Sequence, residues 1–543
     1  MLPTDNLRAE PLFNALKYRL SAEERAKASY ERAKAIAQSY GLTADDACSL
    51  TTKFWDIHRD PLMVYDGAAA TLLTIQYNLA VGTLSPHLRV RPDLSPLVDD
   101  LLSYRKYGVF LLTERGHGLD VANLETTASL TSSGDFVLHT PGPHAAKMMP
   151  ATIPAGAPCV GIVMARLIID GADRGVRPFV VDINDGVRMC PGVTARRLPY
   201  REGTNPVNHA LTSFDNVPLP STALLGTIDK PESIREGFMW RVAVGGLALS
   251  LIGLTALELY CAIGAQYSVR RTVTHSGGVI RPIIYFRTQQ VPILTAVAQA
   301  HVLRAFHDWA IASFMDAEVD LRVRHGIAVC SKAISIQHSQ TAALAISERC
   351  GAMGLFAMNQ MSQLFDEIRG LAVAEGDVLG VSIRLATELL IQRYQLPGSK
   401  NPDSLLARHE AGLFAEHRAR LVQISGHRSV AFNNQMLPHC LPLVEAIGHR
   451  MAYDAAIASG VAPSLVDLYV ASIVKLDPSW YVEHGGLGRE AQAAMANTAL
   501  DAVLPNLEEL VRQMPSPPHV TAPIISDSSW DALVDGLDEF QSA

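Results

Sequence analysis

A chain of 543 residues that is 48% hydrophobic and only 18% charged has ample apolar material for several packed cores. Its 46 Lys and Arg against 54 Asp and Glu leave a net charge of −8, which gives no sign of the strongly basic face that a nucleic-acid partner needs. The seven cysteines (48, 159, 190, 261, 330, 350 and 440) are scattered, with no C-x-x-C pair, so neither a disulfide framework nor a zinc site is expected and a reducing compartment is.

Residues 1–105 read as a helical domain. Ser21-Ala22-Glu23-Glu24 is a capping-box pattern ahead of a helix that runs to about Tyr40 and ends at Gly41. Thr43-Ala44-Asp45-Asp46 opens the next, and 61–82 reads as one more buried helix. From about Tyr107 the texture changes to alternating β-branched residues broken by Gly, Pro, Asn and Asp. Segments 159–169, 176–183, 193–198 and 209–214 are strand candidates in a compact antiparallel β domain, 106–227.

Helical periodicity returns over 234–270, 285–316, 320–350 and 377–395, which predicts a central four-helix domain, 228–396. The apolar run from Val242 to Leu257 is interrupted by Glu258 and is read as a buried helix, with no membrane span expected. Residues 396–402, Leu-Pro-Gly-Ser-Lys-Asn-Pro, are a linker by composition. Beyond it, 403–515 reads as a C-terminal helical domain and 516–543 as a Pro-rich, extended tail. The fold class expected is α+β. The start, Met1-Leu2-Pro3-Thr4, is read as having no signal peptide, and the end, Phe540-Gln541-Ser542-Ala543, as lacking a Ser-Lys-Leu type address. A cytoplasmic or peroxisomal location follows.

Six segments carry the chemistry. Thr113-Glu114-Arg115-Gly116-His117-Gly118 follows an apolar run, and its two glycines let backbone approach a flat or anionic group. Leu124-Glu125-Thr126-Thr127-Ala128 comes soon after. Lys147-Met148-Met149-Pro150-Ala151 and Tyr267-Ser268-Val269-Arg270-Arg271 follow, then Glu348-Arg349-Cys350-Gly351-Ala352-Met353-Gly354. Last, Glu375 stands in Ala374-Glu375-Gly376-Asp377, 21 residues beyond Gly354. His301, His307, His325 and His338 recur in one helical region without a second ligand type at i, i+4, so no metal site is expected. His484-Gly485-Gly486-Leu487-Gly488 lacks the strand context of a dinucleotide loop, and no G-x-S-x-G elbow is present.

Together these segments resemble the acyl-CoA oxidase branch of the acyl-CoA dehydrogenase superfamily. There the first motif has the form Thr-Glu-Leu/Met-Gly-His-Gly, and its Thr, here Thr113, contacts the flavin. The resemblance also implies cofactor contacts from Gly118, Lys147 and Ala151. Met148 and Met149 stand where the family usually has two Trp; Met fills such space but does not stack in the same way. Arg271 matches the Arg that reaches a flavin pyrophosphate, often of a neighbouring subunit, a role suited to the bidentate guanidinium fork. Thr272-Val273-Thr274 replaces the family's Gln-Phe-Gly. Phe286-Arg287-Thr288-Gln289-Gln290 keeps its Tyr/Phe-x-Thr-Gln-Gln, which adds Gln289, while Gly351 and Gly354 would let backbone approach the far end of the cofactor.

Glu375 matches the Glu that removes the α-proton of the thioester. Such a base works from an apolar, water-poor site, where burial raises its pKa; positioned proton transfer is worth on the order of 10²–10⁴-fold. Leu371, Ala372, Val373, Ala374, Val378 and Leu379 are expected to supply those surroundings. The resemblance thus implies an FAD-dependent enzyme that converts an acyl-CoA or carrier-protein-bound acyl thioester into its 2-enoyl thioester, with electrons passing to O2. It further implies a homodimer and, from the altered flavin-side residues, a specialised biosynthetic role. Two other readings stay open. In one, Glu375 moves protons without flavin, as in an isomerase, lyase or cyclase. In the other, the chain is a non-catalytic assembly subunit.

Overall fold

Ser21 accepts a hydrogen bond from the amide of Glu24 while the Glu24 carboxylate takes the Ser21 amide, and this reciprocal cap starts helix α1 (Ala22–Tyr40). Thr43 and Asp46 repeat the arrangement for α2 (Ala44–Ser49). The computed structural model describes residues 2–14, 20–229, 238–424 and 426–541. These fall into two compact units, Met1–Gly245 and Gly246–Ala543. The first holds the N-terminal helices with most of the β-strands, and the second holds the central and C-terminal helices with one short hairpin.

The buried helix expected over 61–82 is not continuous. Asp66 breaks it: its carboxylate accepts from the amides of Ala68 and Ala69, so α3 (Gly67–Thr74) starts afresh there. The same carboxylate pairs with the buried Arg32 of α1 at 2.7 Å. The chain then winds as a π-helix over Ile75–Val81. Within it Gln76 accepts from the Gly108 amide and donates to the carbonyls of Leu101 and Lys106. That side chain ties the helices to the first strand. Around it Val81, Leu84, Val98, Leu101, Ile162 and Met164 share one core.

Strand β1 (Tyr107–Leu111) is followed by β2 (Thr127–Leu130), β3 (Phe136–His139), β4 (Lys147–Met148), β5 (Cys159–Ile169), β6 (Ala172–Asn184), β7 (Val193–Arg197), β8 (Ala210–Phe214) and β9 (Val217–Leu219). The long β5 is the centre. β6 runs antiparallel along it, while β1 pairs with Cys159–Val163 and β2 with 166–168, both parallel. Antiparallel pairing was expected throughout; it holds for β2–β3, β3–β9, β5–β6, β4–β8 and β7–β8, and the two parallel ladders are the exception. Each joins β5 to a strand separated from it by other strands, β2 to β4 after β1 and β3 to β4 after β2, as a parallel pair requires, since a tight hairpin cannot close one.

Helix α4 (Phe238–Arg270) carries the chain into the second unit. The first part of the helix expected from 234 lies outside the described residues. It is the one described helix long and apolar enough to cross a membrane, and 89% of its apolar window is buried. A short hairpin, β10 (Thr272–Thr274) and β11 (Ile280–Pro282), leads into α5 (Arg287–Met315) and α6 (Leu321–Arg349). Helix α7 (Met361–Val373) is absent from the sequence reading, although Met361, Leu364 and Ile368 mark its buried face at helical spacing. Then come α8 (Val378–Leu390), α9 (Leu405–Val422), α10 (Leu437–Ala458), α11 (Pro463–Val474) and α12 (Arg489–Val503). Helix α10 packs against α5, α6 and α8, so the C-terminal helices share the core of the central ones.

The tail differs from the extended segment expected. Ala522 and Ile524 are buried, and residues 527–535 form a helix capped by Ser526. Arg270 holds it by donating to Asp527 at 2.7 Å and to the carbonyl of Ile524 at 3.0 Å. Its prolines occupy short 3₁₀ turns, where a missing amide matters little.

Candidate active site

The first unit places Thr113 just beyond β1. Its carbonyl accepts from Met148 of β4 at 2.9 Å, and its hydroxyl has no partner among the described residues. The following turn is closed by reciprocal backbone bonds between Glu114 and His117, while the amides of Arg115 and Gly116 donate to Ala146 and His144. Four successive amides are therefore engaged within the unit, so this loop is not an anion nest. It offers the Thr113 hydroxyl and the open face beside Gly118, where a side chain would meet nothing within 4 Å.

Lys147 lies fully buried in the same unit. Its ammonium donates to Glu114 at 2.9 Å, to Met164 O at 2.6 Å and to Leu112 O at 3.4 Å. Burial works against ionisation of Glu114, but the Lys147 charge and the amides of Glu125 and Thr126 outweigh it and hold the carboxyl below its usual range. Burial pushes Lys147 down to about 8, opposed by Glu114. All three ammonium hydrogens have protein acceptors, so the Lys147 ammonium is engaged within the unit. Ala151 is buried nearby, and Met149, held at a left-handed φ of 70°, is 42% exposed.

In the second unit Glu375 sits on the turn between α7 and α8. Its φ is 54°, and Gly376 follows at 81°. A side chain at Gly376 would come within 2.8 Å of Val381, so the second position of the turn is confined to glycine. Asp377, not Glu375, caps α8: its carboxylate accepts from Leu379 and Gly380. The Glu375 carboxyl is thus left without a structural duty. The residue is half-buried, and burial pushes its carboxyl up to about 8, with the charge of Lys332 opposing.

The expected apolar surroundings are only partly realised by chain neighbours. Val373 is 68% and Leu379 48% exposed, and Ala374 is exposed too. Enclosure comes instead from elements distant in sequence. Gly246 of α4 lies with its would-be side chain 4.0 Å from the Glu375 carbonyl. From α6 comes Lys332, 1% exposed, whose ammonium donates to the carbonyls of Ala374 and, at 2.7 Å, Gly376. Sequence reasoning missed Lys332. One signal was present: it is the only Asp, Glu, Lys or Arg between Arg324 and Glu348.

The remaining predicted residues meet at the far end of the same helices. Gln289 at the start of α5 donates to Ser268 of α4 and to the Arg349 carbonyl closing α6. Gly351 has a φ of 61°, and a side chain at Gly354 would strike the Ser347 carbonyl oxygen at 2.3 Å, so this turn requires a bare backbone. Arg271 is exposed, and its guanidinium makes no hydrogen bond or ion pair among the described residues, unlike Arg270. Lys332 and Arg349 are 17 residues apart on α6, which at the helical rise is roughly 25 Å. The second unit therefore has two separate centres, one around Glu375 and one around Arg271. No group of three His, Cys, Asp or Glu side chains among the described residues is placed to hold a metal ion.

Comparison with known proteins bears on both centres. Residues 249–390, which include Arg271, Gln289, Lys332, Gly351, Gly354 and Glu375, match the acyl-CoA oxidase C-alpha1 domain. Peroxisomal acyl-coenzyme A oxidase 1 of Arabidopsis thaliana is 26% identical over 320 residues, covering 54% of this chain and 48% of that protein. The chain spans about half the length of the curated relatives it matches first. Among solved structures, acyl-CoA oxidase 1 of Yarrowia lipolytica aligns with a TM-score of 0.83 at 17% identity, covering 98% of this chain and 89% of its own. Acyl-CoA oxidase-1 of Caenorhabditis elegans, solved with FAD and ATP, aligns with a TM-score of 0.82 at 16% identity over the same shares, 98% and 89%. At these identities the structural likeness shows the fold.

Proposed function

Because the domain match, the relatives and the solved structures all point to the acyl-CoA oxidase family, we propose that this protein is an oxidoreductase that removes two hydrogens from an acyl thioester. The substrate is an acyl-CoA or a carrier-protein-bound acyl group, and the products are the 2-enoyl thioester and, with O2 as acceptor, hydrogen peroxide. The observation that carries the reading is Glu375: a carboxyl raised to about 8, held on a left-handed turn and released from capping by Asp377. Strained backbone at such a residue is characteristic of functional sites.

Glu375 takes the α-proton. A carboxylate whose pKa is lifted toward the working pH is a stronger base than one at 4.5 and still has a populated basic form. Its own amide has no acceptor among the described residues and is available to the thioester carbonyl, where charge develops as the proton leaves. The exposed Val373 and Leu379 on either side of the turn suit an apolar acyl chain. FAD, when bound, supplies the acceptor for the hydride of the β-carbon and passes the electrons to O2.

The residues present fit a flavin in part. In the first unit, taken by itself, Thr113 has an unengaged hydroxyl, Gly118 an open face and Met149 an exposed thioether; in the second, taken by itself, Arg271 has an unpaired guanidinium that suits a phosphate. Ala151, Gly351 and Gly354 keep backbone bare, whereas Lys147 and Gln289 act from behind as supports. A homodimer belongs to this reading; the hairpin beside Arg271 exposes Val279 and Ile280 (47% and 69%). So does action in the peroxisome or cytoplasm, the former being where the plant relatives are named to work. So, too, does a specialised biosynthetic role, which the Met148–Met149 pair motivates. On this account the segments 1–105, 106–227, 228–396 and 403–515 are the functional domains, with 516–543 as tail.

The internal use of Lys147 and Gln289 favours one second reading, in which Glu375 transfers protons without flavin, as an isomerase, lyase or cyclase does. The visible spectrum of the purified protein separates the two. Bound FAD that bleaches when acyl-CoA is added without air supports dehydrogenation. Colourless protein that cannot be loaded with FAD contradicts it. Peroxide release in air then tests O2 as the acceptor.

A further inference from the structure

We infer that Lys332 is the positioning residue of the Glu375 base: its buried ammonium grips the carbonyls on both sides of Glu375 and fixes the left-handed turn that aims the carboxylate. The inference rests on the reading of Glu375 as the base and adds a residue to it.

The turn needs an external holder. Backbone bonds end at Ala374, whose amide donates to Gly370 at 3.0 Å, and resume at Val381, which donates to Asp377 at 3.0 Å. Between them two successive residues take positive φ, a conformation that a non-glycine residue adopts only when its surroundings impose it. Helices α7 and α8 flank the turn, and α6 reaches it through one side chain. Lys332 donates to Ala374 O and Gly376 O, so the peptide plane before Glu375 and the one after Gly376 are held from a single point, and the two positive-φ residues are bracketed between them.

Packing alone does not explain this lysine. It is 1% exposed in a stretch of α6 whose buried members are otherwise Ile327, Ala328, Cys330, Ala333, Ile334 and their small neighbours. A buried ammonium is unfavourable unless its hydrogens and its charge are both answered. Here two carbonyls take two of the three hydrogens, and burial pushes the ammonium down to about 8 with Glu375 and Asp377 opposing. No direct ion pair joins Lys332 to Glu375 among the described residues, so the lysine leaves the carboxylate oxygens free for a substrate proton. The charged groups that act on the turn are Lys332 from α6 and Asp377 at the start of α8, while α4 contributes the side-chain-free Gly246. The Lys332 charge favours the ionised, basic form of Glu375.

The test uses FAD-loaded full-length protein and two variants. Lys332→Met keeps the length of the side chain and removes both donors and charge; Lys332→Gln keeps amide donors without charge. For Lys332→Met the rate of anaerobic flavin bleaching at saturating acyl-CoA should fall by about tenfold or more, with the acyl-CoA Kd within about threefold. Its rate–pH profile should shift to higher pH by about one unit. Deuterium uptake should rise over 374–378 and stay unchanged over α9. Lys332→Gln should recover protection of the turn but keep the shifted profile. A Lys332→Met protein with wild-type bleaching and an unshifted profile, or with an unchanged exchange rate at 374–378, overturns the inference. Should that variant not fold, Lys332→Gln decides alone: an unshifted profile overturns it. If acyl-CoA does not bleach the wild-type protein, the dehydrogenation reading fails, while deuterium uptake at the turn in the variants still decides whether Lys332 holds it.

Discussion

Lys147 and Glu114 pair at 2.9 Å with neither side chain exposed to solvent. Glu114 spends its other contacts on the amides of Glu125 and Thr126, and Lys147 its own on Leu112 and Met164. The pair therefore joins the Thr113 turn, the start of β2 and strand β5. Breaking a buried pair by removing one partner costs about 3–5 kcal/mol, because the other charge is left uncompensated. Lys147→Met should lower the melting temperature markedly, and Lys147→Met/Glu114→Gln should recover part of the loss. A thermally unchanged Lys147→Met that only loses flavin would show instead that Lys147 contacts the cofactor.

The two adjacent arginines at the end of α4 have separable duties. Arg270 is committed to Asp527 and the Ile524 carbonyl, whereas Arg271 is exposed with no partner among the described residues. Arg271→Ala should weaken FAD binding by roughly 10–100-fold, the range of a charge-assisted phosphate contact, and leave thermal stability within error. Arg270→Ala should do the reverse, loosening residues 516–535 with little effect on flavin. FAD titration and limited proteolysis of the two variants measure this. Equal effects of both on flavin would contradict the assignment.

How much of this was legible in the sequence varies with the type of determinant. Capping boxes at Ser21 and Thr43 are local and were readable as they stand in the fold. The long helices around Val242–Leu257, and from 285 and 320, follow from periodicity. The break at Asp66 and the parallel ladders onto β5 were not readable, because each depends on a partner far along the chain, Arg32 in one case and the order of β1, β2 and β5 in the other. Glu375 was found through a motif. Its enclosure by Lys332 and Gly246 was not, since helix α6 brings together residues more than 40 positions apart. For Lys147 the motif named the residue, and only the fold reveals that its ammonium is engaged by Glu114, Leu112 and Met164.

Two buried imidazoles predict acid sensitivity. His338 of α6 and His449 of α10 are each 3% exposed, with ring centres 5.0 Å apart, and His449 meets the Tyr469 hydroxyl at 3.1 Å. Burial pushes His338 down to about 3, and burial together with the charges of His338 and His409 holds His449 well below the usual range. A depressed folded-state pKa means that stability is complete above about 6.5 and is lost as pH falls from there toward about 3. The slope is about 1.4 kcal/mol per pH unit for each histidine. His338→Phe should flatten the acid limb of a denaturation–pH curve by about one proton; an unchanged slope would remove His338 from the account.

Glu375 carries the opposite sign. Its folded-state pKa is raised, so the stability linked to it is complete below about 4.5 and falls as pH climbs through about 8. The basic form needed for catalysis is gained over that same rise. Flavin bleaching by acyl-CoA should therefore quicken with pH up to about 8 and then level, while Glu375→Gln should raise the melting temperature at pH 9 by about 2–4 °C. A bleaching rate independent of pH between 6 and 9 would argue against proton removal by this carboxyl.

The most direct test of the central claim, that Glu375 is the base of an acyl-thioester dehydrogenation, is the anaerobic absorbance change of FAD-loaded protein on adding acyl-CoA, measured for wild type and Glu375→Gln. The account predicts that both bind FAD and show the same visible spectrum, that wild type bleaches, and that the variant bleaches at least about 10²-fold more slowly. Equal bleaching of the two proteins would contradict it.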